Sequence, residues 1–413
     1  METTLNSAAA LPAAAKASSR HTFGLLRLLT LAAGAFAVGT SEFLMMGTLP
    51  AVATDFGVSV AAAGQLVSAF AIGIALGGPV LAGLTARLDR RQVLIGALLA
   101  FLATNAVVAF APSYALAVLM RFLGGAVGGL FYGVAFATAA NHAAPGKQGG
   151  AIAVVLAGVT TATVLGSPAG AWIGQQFGWR VPYGLITLLS AGLALVIYKA
   201  LPRLAGNQSG RSGVGGAVDG LRALLSVFGN RSLALVYLAI ALVNTGWFAL
   251  YTYIAPYWTQ ISGVEAASVP AALLAYGVFS AIGGILGGRW ANGGAVRVVI
   301  LSIVAQGILL VALAMVGAAP LASLVIAMAW GLAAWVFVSA MQTRVVELAG
   351  ASADVASSVA VSAFNVGNAL GAMAGGIVVA QIGLTAAPWA GVLLVTAGLF
   401  ATFASTRLAR KNT

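Results

Sequence analysis

The chain has no cysteine, only two histidines, His21 and His142, and only eight acidic residues among 413. The first lack excludes disulfides, thiolate metal sites and cysteine nucleophiles, and the second leaves too few imidazoles for an ordinary metal centre. The shortage of acids excludes more. No apolar segment holds two carboxylates or a histidine, so the paired acids, histidine clusters and activated nucleophiles that an active site needs are missing. No catalytic residue, metal site or cofactor is expected, and the chain reads as a non-enzyme.

Charge of either sign is scarce. Charged residues make up 7% of the chain and hydrophobic ones 61%, against about 25% charged in soluble domains. The mean hydropathy is +1.02. Glycine is plentiful, at 53 residues, as suits helices that associate in lipid through small side chains. This composition is that of a polytopic membrane protein whose principal partner is the lipid bilayer.

A helix needs about 20 apolar residues to cross the hydrocarbon layer. Runs of that kind fall near residues 24–50, 62–85, 92–111, 114–137, 149–174, 182–200, 233–257, 267–288, 295–316, 321–343, 356–380 and 386–404. Twelve spans place both termini on one side. Of the 20 basic residues, 18 lie in or beside the tails and the even-numbered loops, which assigns those segments to the cytoplasm. The exceptions are Arg180, in a loop on the other side, and Arg121, inside the fourth span. Topology thus accounts for the net charge of +12. With no basic stripe interleaved with aromatics, no nucleic-acid partner is expected.

No small-residue cleavage site follows the apolar run that starts near Phe23, so the first helix is expected to be retained. The longest polar break, rich in Gly, Ser and Arg, reads as a flexible linker. The resulting division is a cytoplasmic tail over 1–23, a six-helix half over 24–200, a cytoplasmic linker over 201–231, a second six-helix half over 232–404 and a cytoplasmic tail over 405–413. Sliding the chain by 205 residues supports it: Val38, Thr40 and Phe43 fall on Val243, Thr245 and Phe248, and Gly83 falls on Gly288. One further residue brings Pro50 onto Pro256. Two similar halves with a site at their midplane interface describe an alternating-access transporter.

Glu42 is the sole acid in any of the twelve runs, and Arg121 the sole basic residue well inside one. A charge at bilayer depth costs about 2.5–3.5 kcal/mol on insertion scales and marks function by default. Counted from Pro50 and from Ser113, the two lie at similar depth. The repeat-mate of Glu42 is Trp247, so the second half offers an aromatic surface there rather than a second titrating group. Asn244, Trp247 or Phe248, and Tyr251 recur on one helical face and suit an aromatic-walled substrate cavity. Gln342, Asn365 and Asn368 are amides in apolar segments, suited either to substrate hydroxyls or to interhelical bonds. Tyr257 and Trp258 read as membrane-interface anchors.

Three motifs carry a family resemblance. The loop Gly83-Leu-Thr-Ala-Arg87-Leu-Asp89-Arg90-Arg91 and its counterpart Gly288-Arg-Trp-Ala-Asn292 resemble the cytoplasmic loop motif of the major facilitator superfamily. Gly83 and Arg91 match. Arg87 and Arg90 replace the usual Asp and Gly, leaving Asp89 as the acid for the loop latch. Arg121-Phe-Leu-Gly-Gly-Ala-Val-Gly-Gly129 is similar to the helix-four motif of that superfamily. The series Gly158, Gly166, Pro168, Gly170 and Gly174 resembles the helix-five antiporter motif of its drug:proton exporters.

Gly39-Thr-Ser-Glu42-Phe43 and Leu165-Gly-Ser-Pro-Ala-Gly170 extend the likeness to the branch containing arabinose-efflux, chloramphenicol-resistance and purine-efflux permeases. The resemblance implies an all-α integral membrane fold of twelve transmembrane helices in two pseudo-symmetric six-helix halves. It further implies a monomer in the bacterial cytoplasmic (inner) membrane that exports a small molecule in exchange for protons. Members differ in substrate, so a drug-like amphiphile and a sugar, nucleoside or other metabolite both remain open. In the superfamily, helices one and four line the central cavity. Glu42 is therefore expected to carry the proton with Arg121 as its partner. Dehydration would favour the neutral acid and a close guanidinium the ionised one.

Overall fold

The computed structural model describes residues 22–144, 147–204, 230–349 and 353–411. The expected N-terminal tail up to residue 21, most of the expected linker (205–229) and the end of the C-terminal tail (412–413) lie outside the described residues.

Twelve helices among the described residues are long and apolar enough to cross a membrane. They are α1 (Leu25–Phe56), α2 (Val60–Leu84), α3 (Arg90–Ala109), α4 (Tyr114–Asn141), α5 (Gln148–Phe177), α6 (Arg180–Ala200), α7 (Arg231–Tyr251), α8 (Ala266–Ala291), α9 (Ala295–Val316), α10 (Pro320–Ala349), α11 (Val359–Gln381) and α12 (Leu384–Ala409). No strand occurs among the described residues. In lipid, a backbone with no water to bond must satisfy itself within each helix, which explains this uniformity. Leu188, Leu321, Leu393 and Phe400 point outward, as lipid-facing side chains do.

Helix ends depart from the sequence expectation at two prolines. α1 continues past Pro50 and stops at Gly57, whose φ of 63° is left-handed and whose N–H reaches back to Ala53 and Thr54. In the second half, α7 stops at Tyr251 instead of running to residue 257, and a short helix restarts over Ile254–Gln260. Pro256 sits in the first turn of that restart, where its missing N–H costs nothing. The aligned prolines thus have different effects.

Within each half, glycine sets how close the helices come. A Cβ at Gly158, Gly166, Gly170 or Gly174 on α5 would collide with Ala32, Thr40, Leu44 or Thr48 on α1. The second half repeats this, with Gly367, Gly371 and Gly375 on α11 set against Ala241, Thr245 and Ala249 on α7. The shift of 205 residues that carries Thr40 onto Thr245 also carries Gly166 onto Gly371 and Gly170 onto Gly375. Gly78 on α2 meets Gly129 of α4, and its counterpart under the same shift, Gly283 on α8, meets the Leu332 carbonyl of α10. Pseudo-symmetry is therefore a property of the packing as well as of the sequence.

Two spans carry a π-turn, α2 over Gly73–Gly77 and α5 over Ala162–Gly166. Each ends inside the same pattern, Leu76-Gly-Gly-Pro79 and Leu165-Gly-Ser-Pro168. The proline removes one i→i−4 bond, and the wider i→i+5 turn re-satisfies the local backbone. The α5 motif thus has a twin in α2.

The side carrying the start of α1 and the end of α6 is here called the linker side, and the opposite one the far side. On the linker side, Phe23 N–H donates to the His142 carbonyl (2.8 Å) and Arg27 Nε to the Ala200 carbonyl (3.2 Å). On the far side, Arg180 pairs with Asp55 and donates to the Ala111 carbonyl. Cross-half packing runs from mid-depth to the far side. Gly277 of α8 abuts Thr163 and Val164 of α5, Gly376 of α11 abuts Gln65 of α2, and Gln175 Nε2 donates to the Ala266 carbonyl (2.9 Å).

A methyl added at Gly158 meets the backbone oxygen of Ala32, whereas the close contact of one at Gly174 is with the Thr48 methyl, at 2.7 Å. Overpacking costs about 1–3 kcal/mol, and a backbone neighbour yields least. Gly158→Ala is therefore expected to lower the melting temperature of the purified protein more than Gly174→Ala; the reverse order would contradict this packing.

Candidate functional site

Glu42 lies mid-way along α1 and is 5% exposed. Asp55 and Glu347 also fall within span helices, but at their ends, so Glu42 remains the acid of the membrane interior among the described residues. α1 runs to Phe56, so counting inward from Pro50 understates the depth of Glu42.

Arg121 of α4 is 2% exposed and held on three sides. Its Nη1 donates to the Ser41 carbonyl (2.9 Å) and to Ser41 Oγ (3.1 Å), and its Nε donates to the Leu66 carbonyl (3.3 Å). The guanidinium also lies over the Phe70 ring at 4.1 Å, a cation–π contact strengthened by dehydration. Ser41 Oγ donates onward to Asn105 Oδ1 (2.8 Å). Arg121 and Glu42 influence each other electrostatically. The ion pairs between described side chains are nonetheless Arg180–Asp55 and Arg344–Glu347, so Arg121 grips the backbone beside Glu42 and not its carboxylate.

The carboxylate is bonded from the other half. Asn368 Nδ2 of α11 donates to Glu42 Oε1 at 3.4 Å. Asn368 Oδ1 accepts from Asn244 Nδ2 of α7 at 2.8 Å, and that same nitrogen donates to the Phe364 carbonyl at 3.3 Å. Two of the proposed substrate amides therefore form a line that ends on the acid. The others are placed elsewhere. Asn365 donates to the Val361 carbonyl of its own helix. Gln342 is half-buried, seven residues along α10 from Trp335 toward the linker side, about 10 Å away at 1.5 Å per residue.

Trp247 and Tyr251 belong to an aromatic cluster. Trp247 stacks on Tyr251 (5.6 Å between centroids), which stacks on Tyr276 of α8 (4.9 Å), and Trp247 Nε1 donates to the Tyr276 hydroxyl (2.8 Å). Trp330 and Trp335 of α10 flank it. Phe248 joins the cluster edge-on to Trp247 (5.1 Å) and Tyr251 (5.8 Å) and packs toward Gly371 of α11. Tyr276, Trp330 and Trp335 give no sequence signal, because no charged or amide residue lies within one helical turn of any of them. The Nε1 atoms of Trp330 and Trp335, Ser280 Oγ and Asn244 Oδ1 are buried without protein partners, which leaves hydrogen-bonding capacity around the cluster.

Tyr257 and Trp258 are not membrane-interface anchors. Both are buried, and the Tyr257 hydroxyl donates to the Leu313 carbonyl (2.8 Å). The helix restart at Pro256 turns them into the protein. Neighbouring Tyr253, at the break, closes the far side: its hydroxyl donates to Ala372 of α11 (2.9 Å) and Ala61 of α2 (3.3 Å).

At the loop after α2, Asp89 caps α3 by accepting from Arg91 and Gln92 N–H, and it also accepts from Leu204 N–H (2.9 Å). Arg90 N–H donates to the Leu204 carbonyl (2.8 Å), and Arg91 lies over the Tyr198 ring. Asp89 thus fastens the chain leaving α6. Gly83 ends α2 near the turn, and Arg87 has an interaction of its own. In the helix-five series, Gly158, Gly166, Gly170 and Gly174 form the face that seats α1, and so set the position of Glu42, while Pro168 is buried just after the π-turn.

Two packed six-helix halves with a buried acid bonded across their seam define a membrane transporter rather than an enzyme. Residues 31–372 match the model of the Major Facilitator Superfamily, and the chain belongs to that family. It is 33% identical over 388 residues to the inner membrane transport protein YdhP of Escherichia coli (strain K12), covering 92% of this chain and 96% of the relative. It is 36% identical over 382 residues to a chloramphenicol resistance protein of Streptomyces lividans, covering 92% and 95%. The fold matches the inward-facing, unoccupied crystal structure of a bacterial homologue of the human lysosomal transporter Spinster, with a TM-score of 0.70, 17% identity and coverage of 92% and 95%.

Tyr253→Phe removes only the hydroxyl that ties α2 and α11 together. The loss of about 0.5–1.5 kcal/mol should raise the alkylation rate of a single cysteine, Gln65→Cys, in this cysteine-free chain by about 2- to 10-fold. An unchanged rate would remove Tyr253 from the seal.

Proposed function

We propose that the protein exports a small drug-like or amphiphilic molecule from the cytoplasm in exchange for protons, by rocking its halves about the seam. The observation that carries this reading is Glu42, a dehydrated carboxylate deep in α1 with its bond to the opposite half. Such an acid is expensive, and among the described residues its carboxylate forms no ion pair.

Supporting features agree with export. The α5 glycine face with Pro168 resembles that of drug:proton exporters, and one relative is a chloramphenicol resistance protein. The aromatic cluster with its spare N–H and hydroxyl groups suits a flat, weakly polar solute. On this reading the linker side is cytoplasmic, with both termini there, in a bacterial inner membrane. The far-side packing then corresponds to a state closed to the outside.

One proton moving inward yields about 2.3 kcal/mol per 100 mV, enough to drive a one-for-one exchange uphill. Glu42→Gln keeps the shape and removes the titration. Reconstituted in liposomes with chloramphenicol as the first probe of a compound panel, that variant should lose proton-driven accumulation while remaining folded. Undiminished uphill transport would sink the carrier role.

A further inference from the structure

Glu42 and Arg121 lie in the same half, and Arg121 is bonded to both α1, at Ser41, and α2, at Leu66. Rocking one half against the other leaves their separation unchanged. Tyr132 of α4 also faces the carboxyl from this half, its hydroxyl directed to the Ala35 carbonyl (3.4 Å), while Tyr183 of α6 faces Arg121. Asn368 belongs to the other half. Of the groups bonded to or facing the carboxyl, it is the one that rocking must displace.

We propose that Asn368 is the positioning residue through which the second half reads the ionisation of Glu42, with Asn244 holding it in the reading orientation. The inference rests on the carrier role proposed for Glu42. Its basis is the direction of the hydrogen-bond line. The Asn244 amide is oriented by the Phe364 carbonyl, which accepts only from its NH2 group. Its second N–H therefore fixes the oxygen of Asn368, and the NH2 of Asn368 must face Glu42. From the second half, the line offers the carboxyl a donor and no acceptor.

An ionised carboxylate uses that donor fully, and a hydrogen bond to a charged acceptor is about twice as strong as a neutral one. A protonated Glu42 brings its own O–H, but the Asn368 oxygen is already engaged by Asn244. Flipping Asn368 to meet it would break that bond. Protonation therefore weakens the tie across the seam, and deprotonation restores it. The asymmetry of the halves gives the sensor its place: a fixed acid on α1 and a mobile reader on α11.

The test needs no known substrate. Thr54→Cys and Ala267→Cys place spin labels on exposed far-side positions of the two halves, and the chain has no other cysteine. The full chain in lipid nanodiscs is measured by double electron–electron resonance at about pH 5.5 and 8.5. The otherwise native pair should change its ratio of closed to open populations about ten-fold between these values, as the loss of one charge-assisted bond implies. Asn368→Leu should abolish that change. Asn244→Ala, which leaves the Asn368–Glu42 contact intact but unoriented, should reduce it several-fold.

A full pH response in Asn368→Leu together with none in Glu42→Gln would overturn this proposal and leave the carrier role standing. A full response in Glu42→Gln would overturn both. No response in the native pair, or a full one in Asn244→Ala, would overturn the reading line. If Asn368→Leu fails to fold, Asn244→Ala decides.

Discussion

The close approach of α5 to α1, and of α11 to α7, is the constraint on which the rest depends. Lipid provides little drive for apolar surfaces to associate, so helices must gain from contact at short range. Glycines on α5 and α11 allow it, and their neighbours on α1 and α7 are set in the same register in both halves. That register fixes the rotation of α1 and α7 about their axes. It thereby decides which residues face the seam: Glu42 and, at the equivalent position, Trp247.

The same frame thus presents two different chemistries. In the first half an acid stands alone, with its helix held by Arg121 through backbone carbonyls and by Ser41 and Asn105. In the second half the equivalent position opens an aromatic stack that reaches Tyr276 and Trp330. A symmetric pair of acids would repel across the seam. A symmetric pair of aromatics would provide nothing to titrate. The asymmetry separates the group that titrates from the surface that suits a solute while leaving both at one interface.

The spans were legible because each apolar run must form a helix once it enters lipid, and Glu42 and Arg121 were legible because charge there is costly. Helix ends were less so. Pro50 looked like a stop, but the stop is Gly57, whose left-handed φ no pattern of hydropathy reveals. Pro256 looked like its equivalent and instead restarts a helix, turning Tyr257 and Trp258 inward. Asn368 was visible as a buried amide, but its bond to Glu42 joins residues 326 apart. Only the docking of the halves determines that contact. The α2 twin of the α5 proline pattern was present in the sequence, yet its significance came from seeing a π-turn at both places.

Those two π-turns bear on how the halves move. Each lies in a helix that lines the seam, since α2 packs on α11 and α5 on α8. A proline-linked π-turn stores no unpaired N–H, because the residue that would have donated is the one without a hydrogen. It is thus a place where the helix can change its bend without paying for an exposed backbone group. Its neighbours include glycines packed on α4 and α1, and in α5 the turn itself, at Thr163 and Val164, also meets Gly277 of α8 across the seam. Arg121 donates both to Ser41 of α1 and to Leu66, on the segment of α2 beyond its bend, so that segment is tied to the helix that carries Glu42. This arrangement leaves the Glu42–Asn368 contact as the mid-depth bond that a change of seam geometry has to break.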